Sequence, residues 1–266
     1  MLVQFNLFGL HVQTFGLFFA LNFIAWGLLA QRRYVELGWK AEWAWETVVS
    51  ALVGGLIGAR LYWLIANPSA FSKDPVGALF SGSGLTWFGG LFGGVLAVFL
   101  WTKWRKLPVV EMFDIAGPCL ALGYAIGRIG CQISGDGDYG VESSLPWAMG
   151  YPDGTVPTPE GVTVHPTPIY ETIVMGYVAL WLWNLRGKLK PGSLFALWLV
   201  ASSTERFLIE FLRRNDAAVF GLTQPQLWSL LLGLGGATWL IVNARNGGLR
   251  RAEQQGARPE TSLSEQ

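Results

Sequence analysis

The sequence predicts an all-α polytopic membrane protein with about seven transmembrane helices, its N-terminus outside and its C-terminus cytoplasmic. Three observations predict it. The chain of 266 residues is 52% hydrophobic and 14% charged, against about 25% charged in an ordinary soluble domain. Apolar runs of bilayer length fill nearly all of it, and the segments between those runs alternate in positive charge. No linker is long enough to part a soluble domain from a membrane one. Residues 1–251 therefore read as a single transmembrane helical domain with an outer loop at 132–165, and residues 252–266, rich in Glu, Gln and Ser, as a disordered cytoplasmic tail.

The spans, in order, are Thr14 to Ala30, Thr47 to Ala66, Leu85 to Thr102, Phe113 to Cys131, Pro168 to Leu185, Ser193 to Leu212 and Pro225 to Val242. Arg32, Arg33 and Lys40 follow the first, and Lys103, Arg105 and Lys106 the third. Arg186, Lys188 and Lys190 follow the fifth, and Arg245, Arg250, Arg251 and Arg258 the seventh. Thus 13 of the 19 basic residues fall on one side, which the positive-inside rule makes cytoplasmic. The net charge of +1 hides this asymmetry and points neither to nucleic acid nor to acidic partners. On the other side, Gln132 to His165 contains no Lys or Arg but holds Asp136, Asp138, Glu142, Asp153 and Glu160, which makes it an outer loop.

The N-terminus lacks a basic stretch followed by a small-residue cleavage site, so the first apolar segment is expected to stay as a helix. Cys119 and Cys131 lie 12 residues apart on one predicted helix, about 18 Å at a rise of about 1.5 Å per residue, too far to bridge. There is no C-x-x-C pair, and neither a metal nor an organic cofactor is signalled.

The six remaining basic residues, Arg60, Lys73, Arg128, Arg206, Arg213 and Arg214, fall toward the outer ends of spans or in outer loops, and five of them are arginine. Arginine presents a planar, permanently charged fork suited to bidentate phosphate contacts, so the bias fits anion binding. Ionisable groups inside spans are costly and face the protein interior or a wet cavity. Three segments concentrate them.

Gly127 to Gly140 sets five glycines around Arg128, Asp136 and Asp138. Such a stretch can aim backbone N–H groups at an anion, or it can simply stop a helix and turn. The Asp136-x-Asp138 spacing lacks the rest of a calcium loop. Thr204 to Arg214 places Arg206, Glu210 and Arg213 on one helix face, as internal ion pairs or as a phosphate site. His165-Pro166-Thr167-Pro168-Ile169-Tyr170-Glu171 enters the fifth span with proline in its first turn, leaving His165, Tyr170 and Glu171 at the boundary. Gly89-Gly90 in the third span and Gly54-Gly55 with Gly58-Ala59 in the second suit close helix packing, which does not require the charge of Arg60.

Six stretches, in order along the chain, resemble the prolipoprotein diacylglyceryl transferase family. They are Gly58-Ala59-Arg60-Leu61, Gly89-Gly90-Leu91, Phe113-Asp114-Ile115-Ala116, Gly127-Arg128-Ile129-Gly130, His165-Pro166-x-x-Ile169-Tyr170-Glu171 and Arg206-Phe207-x-x-Glu210-Phe211-x-Arg213. The resemblance implies transfer of a diacylglyceryl group from phosphatidylglycerol to the lipobox cysteine thiol of a preprolipoprotein, with release of glycerol phosphate at the outer face of the bacterial inner membrane. It implies that Arg128 and Arg206 are phosphate ligands, that Glu210, Arg213, Arg60 and Asp136 orient them or line the cavity, and that Tyr170, Glu171, Gly89 and Gly90 contribute to the substrate site.

The chain also departs from the family pattern. Phe88 stands where a histidine is typical and Phe15 where a tyrosine is. Cys131 and Ser134 replace asparagines, and Asp136 replaces a glutamate. Phe88 cannot accept a proton, which leaves His165, Asp136 or Asp138 as candidate replacements. Two other readings use the same arginines as a headgroup site: a paralogue with a different acceptor, and a non-catalytic lipid-binding or transport protein.

Overall fold

The computed structural model describes residues 2–7, 10–68 and 86–251. The expected tail at 252–266, Lys73 between the second and third expected spans, and the expected start of the third span at Leu85 lie outside the described residues. Among the described residues there are seven α-helices: α1 Thr14–Glu36, α2 Glu42–Ala66, α3 Trp87–Trp104, α4 Val109–Ser134, α5 Thr167–Leu185, α6 Ser193–Ile209 and α7 Gln224–Arg245. Two short antiparallel hairpins accompany them, β1 Gln4–Leu7 with β2 Leu10–Gln13, and β3 Ala217–Val219 with β4 Leu222–Thr223.

The helices turn large apolar side chains outward, among them Ile65, Phe92, Leu180, Leu231 and Leu234, while buried positions hold small and polar residues such as Ala44, Thr47, Ser193 and Ser203. That inversion suits a solvent as apolar as the side chains themselves, in which packing of small residues and internal hydrogen bonds hold helices together. Helices α1, α2, α4 and α7 are each long and apolar enough to cross a membrane, and α3 is a shorter apolar helix. This is a mostly helical multi-pass membrane protein.

Helices α2 and α3 cross almost backbone to backbone. A Cβ on Gly58 would fall 2.3 Å from the Gly89 carbonyl oxygen, and one on Gly93 the same distance from that of Gly54. Helix α4 packs against α1, α5 and α6. Toward the Glu36 end of α1, Ala30, Tyr34, Ala44, Trp101, Met112, Ile115 and Cys119 form one core, in which the Tyr34 hydroxyl lies 2.9 Å from Thr47 Oγ1 and donates to Met112 Sδ at 3.3 Å. Both cysteines are free and buried.

One buried carboxylate has a structural task. Gly192, in the left-handed conformation at φ 85°, opens α6 without a side-chain cap of its own. Asp114 of α4 supplies it across the helix pair, accepting from Gly192 N at 2.7 Å and Phe195 N at 2.9 Å. Asp114→Ala is expected to lower stability by about 1–2 kcal/mol, as for loss of a good cap. Thermal unfolding in detergent measures this, and an unchanged midpoint would refute the capping role.

Candidate phosphate-binding site

The segment after α4 folds back over that helix's end. Gly135, left-handed at φ 57°, stops α4. Tyr139 then stacks on Tyr151 with centroids 4.7 Å apart, and their hydroxyls donate to Val156 O at 3.0 Å and Gln132 Oε1 at 2.9 Å respectively. Burial pushes the Tyr151 hydroxyl up to about 12, so it stays a donor at any physiological pH. Thr167 Oγ1, at the start of α5, donates to Asp138 O at 2.7 Å and ties the returning loop to the next helix.

This fold-back brings four elements to one place. Arg128 arrives from the C-terminal part of α4, Glu171 from the first turns of α5, Arg206 from the end of α6, and Glu210 from a 3-10 turn at Glu210–Leu212 that runs straight on into Arg213. Glu171 is fully buried at the centre. Its Oε2 meets Arg128 Nε at 3.1 Å and Arg213 Nη1 at 3.9 Å; its Oε1 meets Arg206 Nη1 at 3.4 Å and accepts from the Tyr124 hydroxyl at 2.7 Å.

Glu210 holds Arg206 Nη2 at 2.9 Å and accepts from Thr223 Oγ1 at 2.9 Å, which anchors the N-terminal cap of α7 to the same cluster. Asp138 closes the ring, its Oδ2 paired with Arg128 and its Oδ1 with Arg213. Burial alone would raise the Asp138 pKa, but the two guanidiniums outweigh it and hold this carboxyl below the usual carboxylate range.

Three guanidiniums are thus balanced by three paired carboxylates. The arginine bias in the sequence suggests a local surplus of positive charge, whereas here the charge is internally compensated. What remains for an anion is N–H donor capacity, since each guanidinium carries five donors in a fixed fork. Arg206 has the most open side chain of the three, 23% exposed against 12% for Arg128 and 10% for Arg213. It is the guanidinium most accessible from outside the cluster.

The other sequence-predicted residues surround this cluster or stand apart from it. His165 Nδ1 lies 3.4 Å from the Tyr170 hydroxyl, which also accepts from Trp147 Nε1 at 2.7 Å. Asp136 Oδ1 accepts from Asp138 N at 3.2 Å. The Arg60 guanidinium lies 4.9 Å over the Trp63 ring on α2, and Gly89 and Gly90 meet α2 at the glycine crossing. Among the described residues, α2 and α3 contribute no side chain to the ion pairs around Glu171.

Cys131, Asp136 and Asp138 offer ligand atoms within 4.8 Å of one another, but both Asp138 oxygens are already taken by guanidiniums, so the trio belongs to the ion-pair lattice. Sequence reasoning missed Tyr124 and Glu205. Tyr124 sits four residues before Arg128, and that spacing on one helix face was the available signal. Glu205 is buried next to Arg206, within electrostatic reach of Glu171, Arg128 and Arg213.

Residues 2–242 match the family model described as prolipoprotein diacylglyceryl transferase. Two relatives named phosphatidylglycerol–prolipoprotein diacylglyceryl transferase are each 31% identical to the chain. The one from Clostridioides difficile aligns over 88% of this chain and 92% of its own length, and the one from Methylobacillus flagellatus over 90% and 94%. A third, from Clostridium tetani and of the same name, is 28% identical over 87% and 94%. The match therefore spans the elements that carry Arg128, Glu171, Arg206 and Arg213, and the chain belongs to the prolipoprotein diacylglyceryl transferase family.

Proposed function

We propose that this protein transfers the diacylglyceryl group of phosphatidylglycerol to the lipobox cysteine thiol of preprolipoproteins, releasing glycerol phosphate. The observation that carries the reading is the convergence of three guanidiniums from α4, α6 and the turn after α6 on the buried Glu171. In the reaction the thiolate sulfur attacks the glyceryl carbon, the bond from that carbon to the phosphate oxygen breaks, and its electron pair stays on the phosphate. Negative charge grows on that oxygen, and Arg206 with Arg128 supplies preorganised donors where it grows. Glu171, Glu210 and Asp138 fix the forks in place, which limits the reorganisation needed during the step. His165, Tyr170, Asp136, Arg60, Gly89 and Gly90 complete the proposed substrate site at its margins.

The proposed setting is the bacterial inner membrane with seven spans, the N-terminus outside, the C-terminus cytoplasmic and the arginine cluster toward the outer leaflet. The alternation of basic segments supports it. A C-terminal tag is expected to resist protease in intact spheroplasts; cleavage there would reverse the orientation. Purified protein given phosphatidylglycerol and a lipobox peptide is expected to form the thioether, with lipids of other headgroups transferring less. Binding of phosphatidylglycerol without thioether formation would instead identify a lipid-binding protein, and failure to complement a transferase-depleted strain despite correct insertion would point to another acceptor.

A further inference from the structure

We propose that Glu205 is the proton acceptor for the incoming cysteine thiol, a role that rests on the transfer reaction above. Four carboxylates gather in the cluster, and three are committed: Asp138, Glu171 and Glu210 each hold guanidiniums. Glu205 makes no ion pair among the described residues. It is 9% exposed, and its Oε1 is buried without a hydrogen-bond partner. Buried polar atoms are normally hydrogen-bonded, so an uncommitted carboxylate oxygen inside a packed charged cluster is an acceptor for a donor that arrives with the substrate.

The other candidates are occupied. Both Asp138 oxygens are paired, Asp136 accepts from the loop backbone, His165 faces Tyr170, and Phe88 has no proton-accepting atom. The ionisable groups facing Glu205 are Tyr124 and Arg128 of α4, Glu171 of α5, Arg206 beside it and Arg213 beyond. Helix α7, which also packs on α6, has no ionisable side chain before Arg245.

The step balances as follows. The S–H proton passes to the Glu205 carboxylate, the sulfur electron pair forms the bond to the glyceryl carbon, and the carbon–oxygen pair leaves with the phosphate. The proton then passes to the departing glycerol phosphate or to outer water, and the carboxylate is restored. Arg206, within electrostatic reach of Glu205, keeps the leaving group's charge in the same cluster as the group that takes the proton.

The test compares wild type, Glu205→Gln, Glu205→Asp and His165→Ala as full-length protein in vesicles containing phosphatidylglycerol, with a lipobox peptide as acceptor. Glu205→Gln is expected to lower kcat by about 10²-fold or more, in the range of a lost general base, with KM for phosphatidylglycerol unchanged. Its residual rate should climb with pH toward the free-thiol pKa of about 8.5, where the wild-type rate is level. Glu205→Asp should recover part of kcat and the wild-type profile, and it carries the test if the glutamine variant fails to accumulate. Wild-type kcat and profile in Glu205→Gln, or both effects appearing in His165→Ala instead, would overturn the assignment. A wild type that does not transfer at all would overturn the transfer reaction itself, an outcome distinct from either.

Discussion

Arg206→Ala and Arg128→Ala are each expected to reduce diacylglyceryl transfer by about 10²–10³-fold, the effect of removing one preorganised donor from a developing oxyanion, about 3–4 kcal/mol. The two should differ in how they fail. Arg206, the most open of the three, loses its bonds to Glu171 and Glu210, but both carboxylates keep other partners: Tyr124 and Arg128 for Glu171, Thr223 for Glu210. Its loss should fall mainly on kcat. Arg128 is enclosed and joins Glu171 to Asp138, so its removal also strips charge from a fully buried carboxylate and should lower stability by about 3–5 kcal/mol.

Lysine at either position keeps the charge and loses the planar fork, so Arg206→Lys should recover little. Transfer by membrane fractions, read beside the amount of inserted protein, separates the two modes. Near-normal transfer in either alanine variant would remove the assigned role. Arg213 sits beyond α6, where sequence position suggests that water can stand in for it; its 10% side-chain exposure and its two-sided grip on Asp138 predict instead a loss of stability comparable to that of Arg128→Ala.

The helices were legible because lipid leaves the backbone no other partner, so an apolar run of bilayer length has to be a helix. Their ends were less so. Helix α1 runs on to Glu36 and α2 begins at Glu42, both beyond the apolar runs. Bonds that hydropathy does not register extend them: Tyr34 to Thr47, and Glu36 to Arg186 at the end of α5.

The cluster was legible for a different reason. Arg206, Glu210 and Arg213 lie on one face by spacing alone, and a charge at Arg128 among glycines needs a partner. That Glu171 is the partner shared by all three guanidiniums depends on how α5 packs against α4 and α6, which no local spacing encodes. Nor does spacing encode the Tyr139–Tyr151 stack or the pairing of Val164 with Glu142 and Met149, which give the loop between α4 and α5 its shape. Arg60 shows the limit most clearly: a charge in a span signals a role, but its guanidinium lies over the Trp63 ring of its own helix.

Glu171→Ala should be the most damaging single carboxylate substitution in the molecule. Three guanidiniums reach this one side chain, and without it they face one another with Asp138 and Glu210 paired at the edges and Glu205 nearby. Two like charges about 4 Å apart repel by about 4 kcal/mol at the effective dielectric of a partly wet site, so the cluster has to open, take up an anion or lose its packing. A loss of about 3–5 kcal/mol is a large part of the 5–15 kcal/mol that typically holds a domain folded, and activity should fall to background. Glu171→Gln keeps the size and one acceptor but not the charge, so it should stay inserted and still be inactive.

Added inorganic phosphate discriminates further. If the arginines form an anion site whose affinity Glu171 restrains, phosphate should raise the unfolding temperature of Glu171→Gln more than that of the wild type, because a bound ligand stabilises in proportion to its occupancy. A glutamine variant that transfers at the wild-type rate, or that phosphate does not stabilise, would mean that Glu171 serves packing alone and that the guanidiniums do not meet a phosphate there.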